Sequence, residues 1–491
     1  MFTGSGVQAV LQWLVLIVLA RLLTPADFGL VSAALVVVGL SQNLSQFGVG
    51  PAVVQIPHLE ERHLRAGFTM SVLLGFLLAG LIWLLSPYLA GFFRMPELTP
   101  VLRALGWIFP FSGSSVMAES LLQRELHFRW LAGIQVVSYA VGYGVVGVSL
   151  ASLGYGVWAL VNANLAQTIV KSTILLIVQP CPKRPHIEWS AFKELMYFGG
   201  GFTLARISNY VALQGDNLVV GRWLGAAALG LYGRAYQLMV LPATLFGQVL
   251  DSVLFPAMAK VQGEPERLAT AYRRGVALLG LLILPTSAAT FMLAPELIQV
   301  FLGPAWRDAI VPFQILTVGM LFRTSYKMSD SLARATGAVY RRAWRQGVYA
   351  ALVVGGAWIG QRWGITGVSY GVLGAITVNF FLMAELSLRL TAMTWKSLLE
   401  VHYPAISLTA IVCLEVWGVA LVTKTLALPA IVLLSASGLV VASSFLVLLC
   451  LAPKFVLGRD GVWMLKTLNS LYSTWRPVEA ASSRVETLSL P

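Results

Sequence analysis

Of the 491 residues, 57% are hydrophobic and 11% charged, whereas a soluble domain carries about 25% charge, so water is not the solvent for most of this surface. The net charge of +13 fits Lys and Arg in cytoplasmic loops facing anionic headgroups and makes nucleic acid an unfavoured partner. Cys181, Cys413, Cys450 and the five His lie too far apart in the sequence for a disulfide framework or a zinc site. No metal or other cofactor is expected.

A bilayer core about 30 Å thick takes roughly 20 apolar residues in helix, because no backbone polar group can stay unpaired in hydrocarbon. By that measure the chain opens on a retained helix at 7–23, since MFTGSGVQAV lacks the basic start of a signal peptide. The scarcity of Lys and Arg there gives the expectation that the natural start lies slightly upstream. Further spans are predicted at 28–47, 66–86, 102–122, 130–153 and 157–178, completing a first lobe of residues 1–178. After a cytoplasmic linker, 179–196, a second lobe of residues 197–390 has spans at 197–220, 229–256, 275–294, 310–330, 346–361 and 368–390. A final pair, 404–422 and 428–451, occupies residues 404–451. In the tail, 452–491, Met464, Leu465, Leu468, Leu471, Tyr472 and Trp475 share one helical face, the pattern of an interfacial helix.

The fold class that follows is an all-α integral membrane protein of about fourteen transmembrane helices. Of the 34 Lys and Arg, 22 fall in the tail and the loops after even-numbered spans, against seven in the opposite loops. The positive-inside rule then puts both termini in the cytoplasm of a multi-pass inner-membrane protein.

The two halves repeat. ARLLTPADFGLVSAA, from Ala20 to Ala34, matches GRWLGAAALGLYGRA, from Gly221 to Ala235, at six of fifteen positions. LSPYLAGFF from Leu85 matches LAPELIQVF from Leu293, and FSGSSVMAESLLQ from Phe111 matches FRTSYKMSDSLAR from Phe322. The matches are collinear, and each copy holds an even number of spans. The copies therefore insert in the same orientation, as two pseudo-symmetric six-helix lobes around a central cavity, with the final helix pair outside the repeat.

Ionisable groups inside a bilayer are costly unless they face protein or water, so each is a functional candidate. The eighth span carries Arg234, Gln237, Thr244, Gln248 and Asp251 as one stripe, and the second span a weaker one with Asn43 and Gln46. The seventh has Arg206, Asn209, Gln214, Asp216 and Asn217; the tenth has Arg323, Lys327 and Asp330 at successive turns. Asn43, Gln46, Asn209, Gln214, Asn217, Gln237, Thr244 and Gln248 are the expected polar lining of the cavity. Glu119 and Asp330 correspond between copies and read as architectural, each paired with a nearby Arg; Arg21 and Arg222 also correspond and can snorkel to the outer interface. Arg206, Arg234, Arg323 and Lys327 are the candidate anion site, suited to phosphate. Against this stands a structural alternative, in which these four cations pair with Asp216, Asp251, Glu385 and Glu415. Asp216, Asp251 and Glu385 are also candidates for ion coupling, with solvation or ion pairing as the plainer reading. Pro242 and the pair Gly355 and Gly356 are hinges or packing features. No catalytic constellation is present, and a non-enzymatic transporter is expected.

At ARLLTPADFGLV from Ala20, GYGVWALV from Gly154, QGDNLVVGRWLGAAALGLYGRAYQL from Gln214 and GEPERLATAYRR from Gly263, the chain resembles one branch of the multidrug/oligosaccharidyl-lipid/polysaccharide flippase superfamily. That branch is the polysaccharide transporter family, in particular the colanic and teichuronic acid exporter type related to Wzx flippases. The resemblance implies translocation of an undecaprenyl-diphosphate-linked oligosaccharide across the cytoplasmic membrane by alternating access, for polysaccharide or lipopolysaccharide biosynthesis. Its implied partners are that lipid, membrane lipids and a polysaccharide polymerase or export complex. A drug or small-molecule exporter of the same superfamily is the nearest alternative; a membrane glycosyltransferase or polymerase is the more distant one, disfavoured by short loops.

Overall fold

With no water in the bilayer to satisfy a bare main chain, lipid-facing segments bond within themselves, and every regular element among the described residues is a helix. A computed structural model describes residues 2–45, 49–56, 59–180, 189–453 and 458; for 2–5, 43–45, 49, 55, 189–209, 211–212 and 243–253 it describes the course of the chain alone. The helices run α1 (Phe2–Leu22), α2 (Pro25–Ser45), α3 (Val49–Gln55), α4 (Glu61–Phe93), α5 (Leu98–Leu105), α6 (Ile108–Arg124), α7 (Phe128–Tyr139), a π-helical turn (Ala140–Gly147), α8 (Val148–Ser152) and α9 (Val157–Val178). They continue as α10 (Trp189–Lys260), α11 (Pro265–Met292), α12 (Ala294–Phe301), α13 (Ile310–Val318), α14 (Met320–Ala335), α15 (Val339–Gly360), α16 (Gly364–Thr391), α17 (Trp395–Glu400), α18 (Tyr403–Thr425) and α19 (Ala430–Leu451).

Eight stretches among the described residues are long and apolar enough to cross a membrane, and Gly6–Leu22 is a shorter apolar one. α14, with 16 residues and several charges, is both too short and too polar to be one of the eight, and the expected fourteen spans are not all represented among the described residues. The solvent is legible in side-chain placement. On α4, Leu73, Phe76, Leu77 and Leu84 are each more than half exposed, whereas Ser71 and Ser86 are buried. Apolar outside and small polar inside is the arrangement that hydrocarbon selects.

The repeat is visible in the elements. Between α1 and α2, Asp27 Oδ2 accepts from the Thr24 amide at 2.9 Å and its hydroxyl at 2.7 Å, while Thr24 Oγ1 accepts from the Asp27 amide at 3.2 Å. This reciprocal cap, with Pro25 in the first turn, starts α2 cleanly. The second copy has Gly225 where the first has Thr24, and α10 bends there instead, with Gly225 at φ 86° and ψ −179°. A side chain in that region is strained. The two arms of α10 thus stand where α1 and α2 stand in the first copy.

The predicted span 102–122 is broken between α5 and α6, and 310–330 between α13 and α14. Gly106 and Gly319 lie at these breaks, and each donates its amide within the preceding turn, to Leu102 and Leu316. An unbroken apolar run conceals such a joint, because hydropathy is blind to main-chain geometry.

The chain forms two compact units, one of Met1–Tyr236, Ile298–Pro312 and Tyr349–Val372, the other of Gln237–Leu297, Phe313–Val348 and Leu373–Pro491. In the first, α2 and the second arm of α10 cross main chain to main chain: a Cβ on Gly29 would overlap the Ala226 carbonyl, and one on Gly230 the Pro25 carbonyl. Gly29 and Gly230 are equivalent positions of the repeat, so the crossing is symmetric. Gly356 packs on Gly371, and Gly360 on Gly367, in the same close manner, which is how helices attract one another when lipid removes the hydrophobic incentive. Gly355 meets nothing within 4 Å, so the packing role belongs to Gly356. The indole of Trp306, fully buried, donates to the Ala20 carbonyl at 2.8 Å.

The second unit packs α11 on α18 through Leu281, Ala405 and Leu408, and extends to α19 through Val412, Val416 and Leu433. Its polar residues are tied internally. Ser287 donates to the Thr317 carbonyl at 2.6 Å, and the Tyr272 and Ser329 hydroxyls lie 3.0 Å apart.

Candidate functional site

Arg234 is an intramembrane cation of the first unit. Its guanidinium lies over the Phe28 ring of α2, 4.3 Å from the centroid, so one face is held by cation–π attraction. It also lies within electrostatic reach of the hydroxyls of Tyr139 and Tyr143. These rings stack one turn apart, centroids 5.0 Å apart and planes 16° off parallel, at the edge of the π-helical turn. Asn164 of α9 donates Nδ2–H to the Tyr143 hydroxyl at 3.0 Å. All four side chains are half-buried. The result is a planar cation with hydroxyl groups beside it, a set that can bind an anion and offer hydrogen bonds to neighbouring hydroxyls.

Sequence reasoning singled out Arg234 but missed Tyr139, Tyr143 and Asn164, because no single helix carries them as a polar stripe. The available signal was AVGYGVVG, three glycines within eight residues of a span. Glycine there admits the widened turn, and such turns recur at functional sites.

On the first arm of α10, Asp216 is buried, accepting from the Tyr232 hydroxyl at 2.7 Å and from the Asn217 amide at 2.9 Å. Asn217 Nδ2 donates to Gln214 Oε1 at 2.7 Å. The Tyr232 bond spans the Gly225 bend and fixes the two arms of α10 relative to each other. Gln237 is exposed.

In the second unit, Arg323 is buried and Lys327 half-buried, one turn apart on α14; each interacts with other groups of the protein. Arg234 and the Arg323–Lys327 pair thus belong to different compact units. The side chains of Asn43, Gln46, Arg206, Asn209, Thr244, Gln248 and Asp251 lie outside the described residues, as does the predicted interfacial helix of the tail.

The acids are placed as follows. Glu119 receives Lys171 of α9 at 2.9 Å, a correction to the expected Arg: the i and i+4 rules of one helix do not reveal a cation from a neighbouring one. Asp330 is held by Arg334, at 3.2 Å, and by Arg342. Glu385 lies 3.5 Å from Arg345 and also receives Arg389. Arg345, buried, further donates to the carbonyls of Leu382 and Arg341 at 2.9 and 2.7 Å. Oε2 of Glu415 is buried without a hydrogen-bond partner. Arg21 donates to the Val300 carbonyl, and Arg222 lies over the Phe92 ring, 5.3 Å from the centroid.

Comparison with known proteins adds a family and a fold. The family model described as "Polysaccharide biosynthesis protein" matches residues 18–311. The chain is 26% identical over 373 residues to the lipopolysaccharide biosynthesis protein WzxC of Escherichia coli K12, covering 74% of this chain and 75% of WzxC. It is 26% identical over 299 residues to the succinoglycan biosynthesis transport protein ExoT of Rhizobium meliloti, and 24% over 302 to the teichuronic acid biosynthesis protein TuaB of Bacillus subtilis. Of those two it spans about three fifths, 60% and 62%. Among solved structures, the lipid II flippase MurJ in an inward closed conformation superposes with a TM-score of 0.73 at 13% identity, over 91% of this chain and 98% of MurJ. An inward-facing multidrug resistance transporter of the MATE family, of the MOP superfamily, gives 0.61 at 18% identity, over 78% of this chain and 95% of that one. At these identities the likeness concerns the fold: two lobes of membrane helices.

Proposed function

Because the chain belongs to the polysaccharide biosynthesis protein family, whose model covers residues 18–311, we propose that it is a flippase for a polyprenyl-diphosphate-linked oligosaccharide. The cargo crosses the bacterial inner membrane by alternating access of two lobes, residues 1–178 and 197–390, with both termini cytoplasmic. It acts as a transporter, without catalysis. The observation that carries this reading is that relatives spanning up to three quarters of the chain are polysaccharide-biosynthesis proteins, one of them named a transport protein.

The chemistry supports it. A diphosphate entering a low-dielectric interior needs fixed cations, which replace its hydration without reorganising. Arg206, Arg234, Arg323 and Lys327 fill that role, and Arg234 comes with hydroxyl neighbours suited to the adjoining sugar. Lys171 pairs with Glu119, and Arg345 with Glu385. In this reading Glu385 is architectural, paired with Arg345 and Arg389, and ion coupling falls to Asp216 or Asp251. A drug exporter would share the fold; the cationic rather than acidic character of the candidate site is what favours an anionic lipid.

The test is export of surface polysaccharide in a host dependent on this chain. Arg323→Ala combined with Lys327→Ala abolishes export while the protein still inserts at normal abundance. Normal export in that double variant removes these two residues from the site.

A further inference from the structure

The first unit contains a cavity of about 330 Å³ between α2, α4 and the first arm of α10. Its floor is Leu78, Ile82 and Phe93, each buried; its rim includes Leu81, Leu85 and Phe92, each 41–48% exposed. The rim side chains belong to the same α4 surface that presents Leu77 and Leu84 to the surroundings, so the cavity opens sideways onto hydrocarbon.

The opposite wall carries polar residues that are already engaged. The Tyr210 hydroxyl donates to the Leu35 and Val36 carbonyls, at 3.2 and 3.0 Å. It fits there because position 39 is glycine; a Cβ on Gly39 would overlap it. Gln214 Oε1 is taken by Asn217. The polar lining is confined to Ser41, Tyr210 and Gln214 among otherwise apolar side chains, so water would find few partners there, and a hydrocarbon chain loses little by entering.

Shape narrows the occupant. The lining on α4 runs from Leu78 to Phe93, about 22 Å at 1.5 Å per residue, an elongated apolar slot suited to a linear hydrocarbon chain. The slot also leads from the bilayer to the segment bearing Gln214, Asp216 and Asn217, as required of a molecule with an apolar tail and a polar head.

We propose that this groove seats the polyisoprenoid tail of the cargo while the diphosphate sugar occupies the polar interior, an inference that rests on the flippase reading. The test uses the full-length chain in phospholipid vesicles and a polyprenyl diphosphate bearing a diazirine on its chain. Irradiation followed by peptide mapping is expected to place the label on α4 between Leu78 and Phe93 and on α2 between Val36 and Ser41, with excess unlabelled polyprenyl diphosphate abolishing it. Ile82→Trp, or Leu85→Trp at the exposed rim should the first variant misfold, lowers labelling about tenfold, as expected from displacing two methylene groups. Labelling elsewhere, or equal labelling by a diazirine phosphatidylcholine that polyprenyl diphosphate does not displace, overturns the groove. Binding of the same lipid is measured in parallel by tritium retention on the detergent-purified full-length protein. Retention with an unlabelled groove overturns the groove alone; absence of retention overturns the flippase reading with it.

Discussion

The guanidinium of Arg234 rests on the Phe28 ring with Tyr139 and Tyr143 in its electrostatic surroundings, and a planar fork suits that stacking better than an ammonium. Arg234→Ala should lower transport per folded molecule at least tenfold, since a charge-assisted hydrogen bond contributes about 1.5–3 kcal/mol. Arg234→Lys should recover little, because an ammonium does not lie flat on Phe28. Full recovery by Lys would mean that charge alone is used. Glu119 and Asp330 should behave oppositely. Glu119→Gln or Asp330→Asn leaves Lys171 or Arg342 without its acid in a half-buried place, at a cost of about 1–3 kcal/mol. That loss belongs in the melting temperature of the purified protein and not in transport per folded molecule. Charges were the easiest residues to find in the sequence, because hydrocarbon makes each one conspicuous. The sequence did not disclose partners drawn from other helices, such as Lys171 for Glu119, nor uncharged members such as Tyr139, whose role depends on where the π-helical turn points it.

At the scale of elements, the Gly29–Gly230 crossing sets how closely α2 and the second arm of α10 approach. Gly29→Leu inserts atoms where the Ala226 carbonyl lies, and a main-chain carbonyl cannot yield as a flexible side chain can. Overpacking of this kind costs about 3 kcal/mol or more, so the variant should melt lower and lose transport; a wild-type melting curve would show that the crossing opens freely. Gly225→Ala is a milder case. It forces a Cβ into φ 86°, worth about 1–3 kcal/mol, and should also loosen the Tyr232–Asp216 bond across the bend. The all-helical membrane class, the repeat and the Thr24–Gly225 correspondence were legible, because they rest on apolar length and identity. The joints at Gly106 and Gly319 were not, since a helix break between two apolar segments leaves hydropathy unchanged. Nor was the single 72-residue course of α10, where a bend replaces the turn that the first copy caps with Asp27.

For the whole molecule, the parallel repeat supplies two lobes of like fold, and copy-specific residues supply the difference between them. Positions kept in both copies, Gly29 with Gly230 and Glu119 with Asp330, hold helices together. In the flippase reading proposed above, positions that differ, Arg323 and Lys327 where the first copy has Ser112 and Val116, carry the cargo site on a shared scaffold. The central claim, that the chain flips a polyprenyl-diphosphate oligosaccharide, is tested most directly in proteoliposomes loaded with a fluorescent form of that lipid and exposed to a membrane-impermeant quencher. Wild-type protein should bring nearly all of the fluorophore within reach of the quencher, while Arg323→Ala with Lys327→Ala leaves the inner-leaflet half protected, as in protein-free vesicles. Protection of that half by the wild-type protein itself, under conditions where it still binds the lipid, would contradict the account.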